Sequence, residues 1–201
     1  MKLTFLGTGT SQGVPVIGCR CKVCTSADRR DNRLRTSAMV ETRGVRIVID
    51  AGPDFRYQML RTGVRHLDAI LLTHEHKDHI GGLDDVRAFN YTSGEPVDIY
   101  AEERVQRVVK KDFDYAFVEH KYPGVPEIRL HTIGEDPFQV KSVEIIPIRG
   151  LHYKLPVLGF RIGGIAYLTH ISHQMGRQAQ EEPALPENVR FAYDGLSIET
   201  P

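Results

Sequence analysis

Three histidines and an aspartate fall within the six-residue run His74-Glu75-His76-Lys77-Asp78-His79. Imidazole nitrogen and carboxylate oxygen both suit zinc. The alternate residues His74 and His76 can face one cation, while Asp78 and His79 reach a second one nearby. Two cations about 3.5–4 Å apart share a bridging water and lower its pKa, which yields a hydroxide nucleophile at neutral pH. The bland alternative is a solvated polar loop, against which three histidines directly after an apolar strand argue. Glu75 and Lys77 occupy non-ligand positions and are expected to point away from the metals.

Cys19, Cys21 and Cys24 form a second constellation and account for all three cysteines of the chain. An odd, clustered trio does not read as a secreted disulfide framework; it reads as metal-binding in a reducing compartment. A structural zinc takes four ligands, so a fourth must come from elsewhere. Three free, buried or reactive thiols are the alternative. Arg29, Arg30, Arg33 and Arg35 form either an anion-gathering patch or, more simply, a solvated loop. His66, His120 and His131 lack partners at ligand spacing and are read as structural or surface residues.

Such side chains need a rigid frame. Residues 3–6 are a short apolar run entering the Gly/Thr/Ser-rich segment 7–13, a buried strand leading to a loop at one edge of the core. Residues 37–41 and 45–50 predict two strands joined by a tight turn at Arg43-Gly44. Phe55, Met59 and Leu60 have helical spacing, and Gly63 stops that helix. Residues 68–73 predict the buried strand that delivers the histidine cluster; Leu83, Val86 and Phe89 predict a helix after it. A strand over 97–100, a helix over about 102–113 and strands over 128–131, 138–140 and 143–148 follow. A hairpin over 158–162 and 165–169 turns at Gly163-Gly164. The tail predicts two more strands, 190–193 and 196–198, around Asp194-Gly195. Residues 26–35 read as a polar surface excursion. The whole is an α/β (α+β) chain, read as one domain over 1–201.

Lys+Arg and Asp+Glu both number 26, so the chain has no electrostatic footprint for nucleic acid or an anionic membrane. No stretch approaches the roughly 20 apolar residues of a membrane helix. The opening Met1-Lys2-Leu3-Thr4-Phe5-Leu6-Gly7 turns to glycine too early for a signal-peptide core, so a cytoplasmic location is expected.

Thr73-His74-Glu75-His76-Lys77-Asp78-His79 resembles the metallo-β-lactamase superfamily signature, as do Phe5-Leu6-Gly7-Thr8-Gly9-Thr10 and Asp50-Ala51-Gly52. The resemblance implies an αββα sandwich with the metals at one edge. It implies that His74 and His76 bind one metal and Asp78 and His79 the other, with Asp50 supporting the ligands from behind. It also implies a further ligand at a strand end, supplied by His152 in Gly150-Leu151-His152-Tyr153-Lys154. Lys154 there either contacts a substrate phosphate or is solvated. Within the superfamily, the cysteine trio together with Thr169-His170-Ile171-Ser172-His173-Gln174 looks like the PhnP-type phosphodiesterases, and the ending Phe191-Ala192-Tyr193-Asp194-Gly195-Leu196 extends the likeness. That likeness implies His173 as the closing ligand of a Cys3His zinc and His170 as a ligand of the paired site.

The chain departs from the pattern at one point. The family places an aspartate that bridges both metals after a Tyr-Leu-Thr strand, whereas Ala166-Tyr167-Leu168-Thr169 runs straight into His170. The sequence looks spliced at 169/170, lacking part of its C-terminal half, with more than about 30 residues missing, the size of a strand–helix unit. Either the polypeptide lacks that segment, leaving no bridging carboxylate, or residues present in the molecule are absent from this sequence.

The function implied is a phosphodiesterase of small or cyclic substrates with two catalytic zinc ions and one structural zinc. Asp78 would hold a metal and orient the attacking water. Mn2+ or Fe2+ are alternatives in the paired site. A small-molecule phosphodiester is the expected partner, with no membrane and nucleic acid disfavoured; a homodimer is left open, since the sequence does not reveal the oligomeric state. One fold hosts many chemistries, so a thioester, a lactam or a transfer-RNA precursor is the rival substrate class. A degenerate zinc-binding scaffold without turnover is the rival from another class.

Overall fold

In the computed structural model, residues 1–167, 174, 176–181, 183, 185 and 190–200 are described. The apolar N-terminal run forms β1 (Lys2–Gly7), which buries Leu3 and Leu6. It pairs antiparallel with β2 (Ser37–Thr42), and β2 turns at Arg43-Gly44 into β3 (Val45–Ile49). Both turn residues have positive φ, 50° and 75°, so the glycine suits its place. From β3 onward the sheet is parallel, through β4 (Ala69–Leu71), β5 (Val97–Ala101) and β6 (Ile128–Thr132). Each parallel step needs a crossover. Helix α1 (Phe55–Thr62) lies in the first crossover, α2 (Lys77–Ile80) and α3 (Arg87–Ser93) in the second, and α4 (Glu103–Asp112) in the third.

A second, antiparallel sheet follows: β7 (Phe138–Val140), β8 (Val143–His152), β9 (Leu155–Ile162) and β10 (Ile165–Tyr167), in the order β10-β9-β8-β7. After the single-turn α5 (Gln178–Glu181), β11 (Ser197–Glu199) returns to the first sheet beside β1. The first sheet is thus seven-stranded, β11-β1-β2-β3-β4-β5-β6.

The two faces of the large sheet bury different partners, because successive side chains alternate across a strand. Val48, Ile70 and Ile99 pack with Phe55, Met59, Phe89, Val105 and Val109 of the helices. Ile47, Ile49 and Leu71 face the other way and pack with Ile145, Leu158, Phe160 and Ile162 of the small sheet. A strand buried on both faces reads as a continuous apolar run, which is what Ile47, Val48 and Ile49 display after the half-buried Arg46. Among the described residues the layering is helix on sheet on sheet, three of the four layers of the expected αββα sandwich. On the outer face of the small sheet Ile146 and Ile148 are half-buried.

Several elements differ from the expectations. β8 runs on to His152, because its ladder with β9 persists to the pair His152↔Leu155. Residues 83–86 form a 3-10 turn before α3 rather than the start of a regular helix. The expected strand over 190–193 does not form: the Ala192 carbonyl accepts instead from the Arg33 guanidinium, and only 197–199 enter the sheet. Residues 26–35 are not simply a surface excursion, since Asp31 and Arg33 are buried at 2% and 5% exposure. Among the described residues, no helix is long and apolar enough to cross a membrane.

Candidate metal centre

The C-terminal ends of the parallel strands deliver the chemistry, where open α/β sheets place their sites. β4 ends at Leu71, and the chain leaves it through Thr73 and His74 toward α2. His76 caps α2 in extended conformation, while Asp78 and His79 lie within its single turn. His152 arrives from the other sheet, at the tip of the β8–β9 hairpin. The hairpin is tied back by the Leu158 amide, which donates to the Thr73 carbonyl at 3.0 Å.

Four imidazoles converge there. The ring centroids of His74 and His79 are 3.9 Å apart, those of His74 and His76 4.6 Å, and His152 lies 5.7 and 5.5 Å from His74 and His76. One nitrogen from each of His74, His76 and His152 falls within 4.8 Å of the others. His74 Nε2 and His76 Nδ1 face each other at 3.2 Å, and Asp78 Oδ2 stands 3.2 Å from His79 Nε2. His74, His76 and His152 thus gather at one point, and Asp78 and His79 stand beside them.

Asp50 orders them from beneath. It is buried at φ 61°, and its carboxylate accepts from the Thr73 amide at 2.9 Å, the Thr73 hydroxyl at 2.9 Å and His79 Nδ1 at 2.6 Å. An ionised carboxylate only accepts, so the Thr73 hydroxyl proton and the His79 Nδ1 proton both point at Asp50. The Thr73 oxygen is then free to accept from His74 Nδ1, 2.9 Å away. His74 Nε2 is left with its lone pair toward the cleft, as a metal ligand needs. Thr73 belongs to the quoted motif, but its part as a relay was not anticipated; a hydroxyl between an Asp and a His was the available signal.

The electrostatics fit a waiting cation site. Burial and the nearby His79 hold His74 down at about 4, so it is neutral at pH 7. Burial opposes charge on both members of the other group, yet their pairing prevails. His79 is raised to about 10 by Asp50 and Asp78, and Asp78 is lowered to about 2 by His79.

A cleft of about 410 Å³ opens over these groups, lined also by Thr10, Ser11, Thr36, Leu151 and Tyr167. The buried Tyr167 hydroxyl lies 2.6 Å from that of Thr36. Gly52 permits α2 to sit this close: a Cβ there would lie 1.9 Å from the Asp78 carbonyl oxygen. Glu75 and Lys77 turn outward to Arg104 and Asp112. Lys154 is exposed at the hairpin tip, 5.7 Å from the Tyr153 ring.

The three cysteine sulfurs also gather, all within 4.8 Å of one another. The Val16 amide points at Cys24 Sγ at 3.4 Å and the Cys24 amide at Cys21 Sγ at 3.5 Å. Burial and the neighbouring thiols push Cys24 up to about 11, against the Val16 amide, which lowers it; a cation would reverse that order. His170 and His173, with the 169/170 junction, lie outside the described residues. Of the remaining candidates, Arg33 is buried against Thr8, Arg35 pairs with Asp54, and His66 and His131 bond to Asp68 and Asp98.

Residues 45–182 match the family described as Beta-lactamase superfamily domain. The crystal structure of a diphosphatase from the PhnP family is 33% identical, with a TM-score of 0.91, covering 100% of this chain and 98% of that one. The octanoyltransferase of Porphyromonas gingivalis is 47% identical over 171 residues, 84% of this chain but only 34% of that protein. Zinc-bound PqqB from Methylobacterium extorquens shares the fold at a TM-score of 0.63, with 24% identity over 83% of this chain and 61% of that one.

Proposed function

Because the chain belongs to the beta-lactamase superfamily, and within it to the PhnP family, we propose that it is a metal-dependent hydrolase of small or cyclic phosphodiesters. The observation that carries this reading is the convergence of His74, His76 and His152 beside Asp78 and His79, with Asp50 bonded to His79 and, through Thr73, to His74. His74, His76 and His152 would hold one cation, and Asp78, His79 and His170 the other. Zinc is the cation this donor set favours, with Mn2+ or Fe2+ as substitutes. When bound, the pair supplies Lewis-acid activation of a water and of a phosphoryl oxygen.

The cleft lining supports an anionic substrate only with cations present. Its described residues include Asp50 and Asp78 but no lysine or arginine, so without bound cations a phosphate would meet net negative charge. Lys154 at the rim would supply one further positive contact. Thr10 and Ser11 would hydrogen-bond the substrate oxygens, and Asp78 would orient the attacking water. Balance is simple: water adds across one P–O bond, and its proton leaves with the released alcohol.

Cys19, Cys21, Cys24 and His173 would hold a structural zinc. Support comes from the segment that follows His173: Arg177 Nε donates to the Lys22 carbonyl at 2.9 Å, and the Gln178 amide to Asp31 at 2.9 Å. The first bond ties that segment to the cysteine loop, the second to the turn at 29–31 that follows it.

A diphosphate is the second substrate reading, since the PhnP-family structure is that of a diphosphatase. Parallel assays with a chromogenic phosphodiester, a dinucleoside diphosphate, a thioester and a cephalosporin separate these from the other classes. Phosphodiester turnover should vanish on chelation and return with zinc. Undiminished turnover after complete metal removal would reject the proposal, and metal binding without turnover on any of the four, or on a transfer-RNA precursor, would favour the scaffold.

A further inference from the structure

Glu75 stands between two metal-facing histidines, yet its carboxylate turns away and pairs with Arg104, the second residue of α4. The same guanidinium reaches two other elements. It pairs with Glu102 Oε2 at 3.1 Å and donates to the carbonyl of Pro156 in β9. Pro156 lies opposite Leu151 in the β8–β9 ladder, one step from the terminal pair His152↔Leu155. Glu102 in turn accepts from Arg149 of β8 at 2.6 Å, and Arg149 Nε reaches Glu135 at 2.9 Å. An alternating chain of charges, Glu75–Arg104–Glu102–Arg149–Glu135, therefore runs from the histidine loop of one sheet to the hairpin of the other.

The hairpin needs such a hold. Its tip stands out from the body, with Leu151 73% and Tyr153 88% exposed, and Tyr153 has φ 59°. The Leu158 amide anchors the base to Thr73, leaving Pro156 as the next point toward the tip that is tied to the histidine loop. The geometry points to Arg104 as a positioning residue: it locks Glu75 to Pro156 and so fixes the separation between His74/His76 and His152. The inference rests on the proposed metal site at those three histidines. A planar guanidinium can bond to Glu75, Glu102 and Pro156 at once, whereas a lysine ammonium cannot match that fork.

The test uses the full chain with three readouts: metal affinity by chelator competition, the visible spectrum of the Co2+ form, and hydrogen exchange of 150–157 in metal-free protein. Arg104→Met should weaken binding at the histidine site 10–100-fold, the range for residues that orient ligands from behind. It should also alter the Co2+ bands and speed exchange at the hairpin, while zinc at the cysteine site is retained. Arg104→Lys should recover only part of this, and Glu75→Gln, which keeps the shape of the side chain, should weaken binding in the same direction if Arg104→Met folds poorly. Arg107→Met, on the exposed side of α4, should change nothing. Wild-type affinity and hairpin protection in both Arg104→Met and Glu75→Gln would overturn the inference while His152→Ala still loses metal. If His152→Ala also binds as wild type, the metal-site reading itself falls.

Discussion

Nδ1 of His79 lies 2.6 Å from Oδ2 of Asp50, with both side chains almost wholly buried. The other bonds to this carboxylate come from Thr73, whose hydroxyl passes the orientation on to His74. One anion therefore sets the tautomer of a histidine in each of the two ligand groups. Asp50 does so from left-handed backbone, a conformation costing about 1–2 kcal/mol for most L-residues and less for Asp. The hydrogen bonds to its carboxylate offset that.

Asp50→Asn tests this arrangement. The amide nearly matches the carboxylate in shape but brings an NH2 group and loses the charge, so it cannot accept from Thr73 and His79 together as the carboxylate does. Metal affinity at the histidine cluster should fall 10–100-fold, with zinc at the cysteines unchanged. Competition against a chelator of known affinity measures it, and equal affinity in the two proteins would contradict the role given to Asp50.

Gly52→Ala acts on the same site through sterics. Its new methyl would sit 1.9 Å from the Asp78 carbonyl oxygen, so α2 must move. Overpacking of this kind costs about 1–3 kcal/mol, and because α2 carries Asp78 and His79, metal affinity should drop together with stability. Denaturant melts and metal titration on the same variant check both. A variant that keeps wild-type metal affinity would show that α2 can shift without moving its ligands.

Much of this was legible in the sequence, for reasons that can be named. His74, His76, Asp78 and His79 are local in the chain, and a strand followed by a tight turn can gather them only in a few ways. Ile47, Val48 and Ile49 marked a strand, while its burial on both faces depends on the helices and the second sheet that pack against it. The end of β8 was less legible, since 149–152 lose the apolar pattern while the ladder continues, held by β9 rather than by side-chain burial. Residues 190–193 look like a strand but give their carbonyls to Arg33 and Gln178. Arg33 read as a solvated residue because nothing local shows that Thr8, Gln178 and Ala192 would surround it. The ties of Glu75 and Arg149 to Arg104 and Glu102 also join residues far apart in sequence, which no spacing rule reveals.

Cys21→Ser should remove one zinc per chain and leave the histidine site loaded. A structural zinc contributes directly to folding, so the melting temperature should fall by more than about 6 °C, equivalent to about 2 kcal/mol or more at this size. Metal analysis with a thermal melt checks both. An unchanged zinc count would favour the reading of three free thiols.

Asp68 supplies a prediction about pH at a distance from the histidines. Its side chain is buried, which by itself would raise its pKa, but Lys141, the Arg46 amide and His66 outweigh burial and hold it below the usual 3.8. A carboxyl whose pKa is lower folded than unfolded stabilises the protein above the unfolded value, and loses that contribution as the pH falls through the folded one. Asp68→Asn should therefore destabilise the chain by about 1.5–3 kcal/mol at pH 7, the range for hydrogen bonds to a charged group. The difference from wild type should shrink as the pH is lowered from about 4. Denaturant unfolding at a series of pH values measures the gap, and a gap that stayed constant down to acid pH would mean that packing, and not the charge on Asp68, carries the effect.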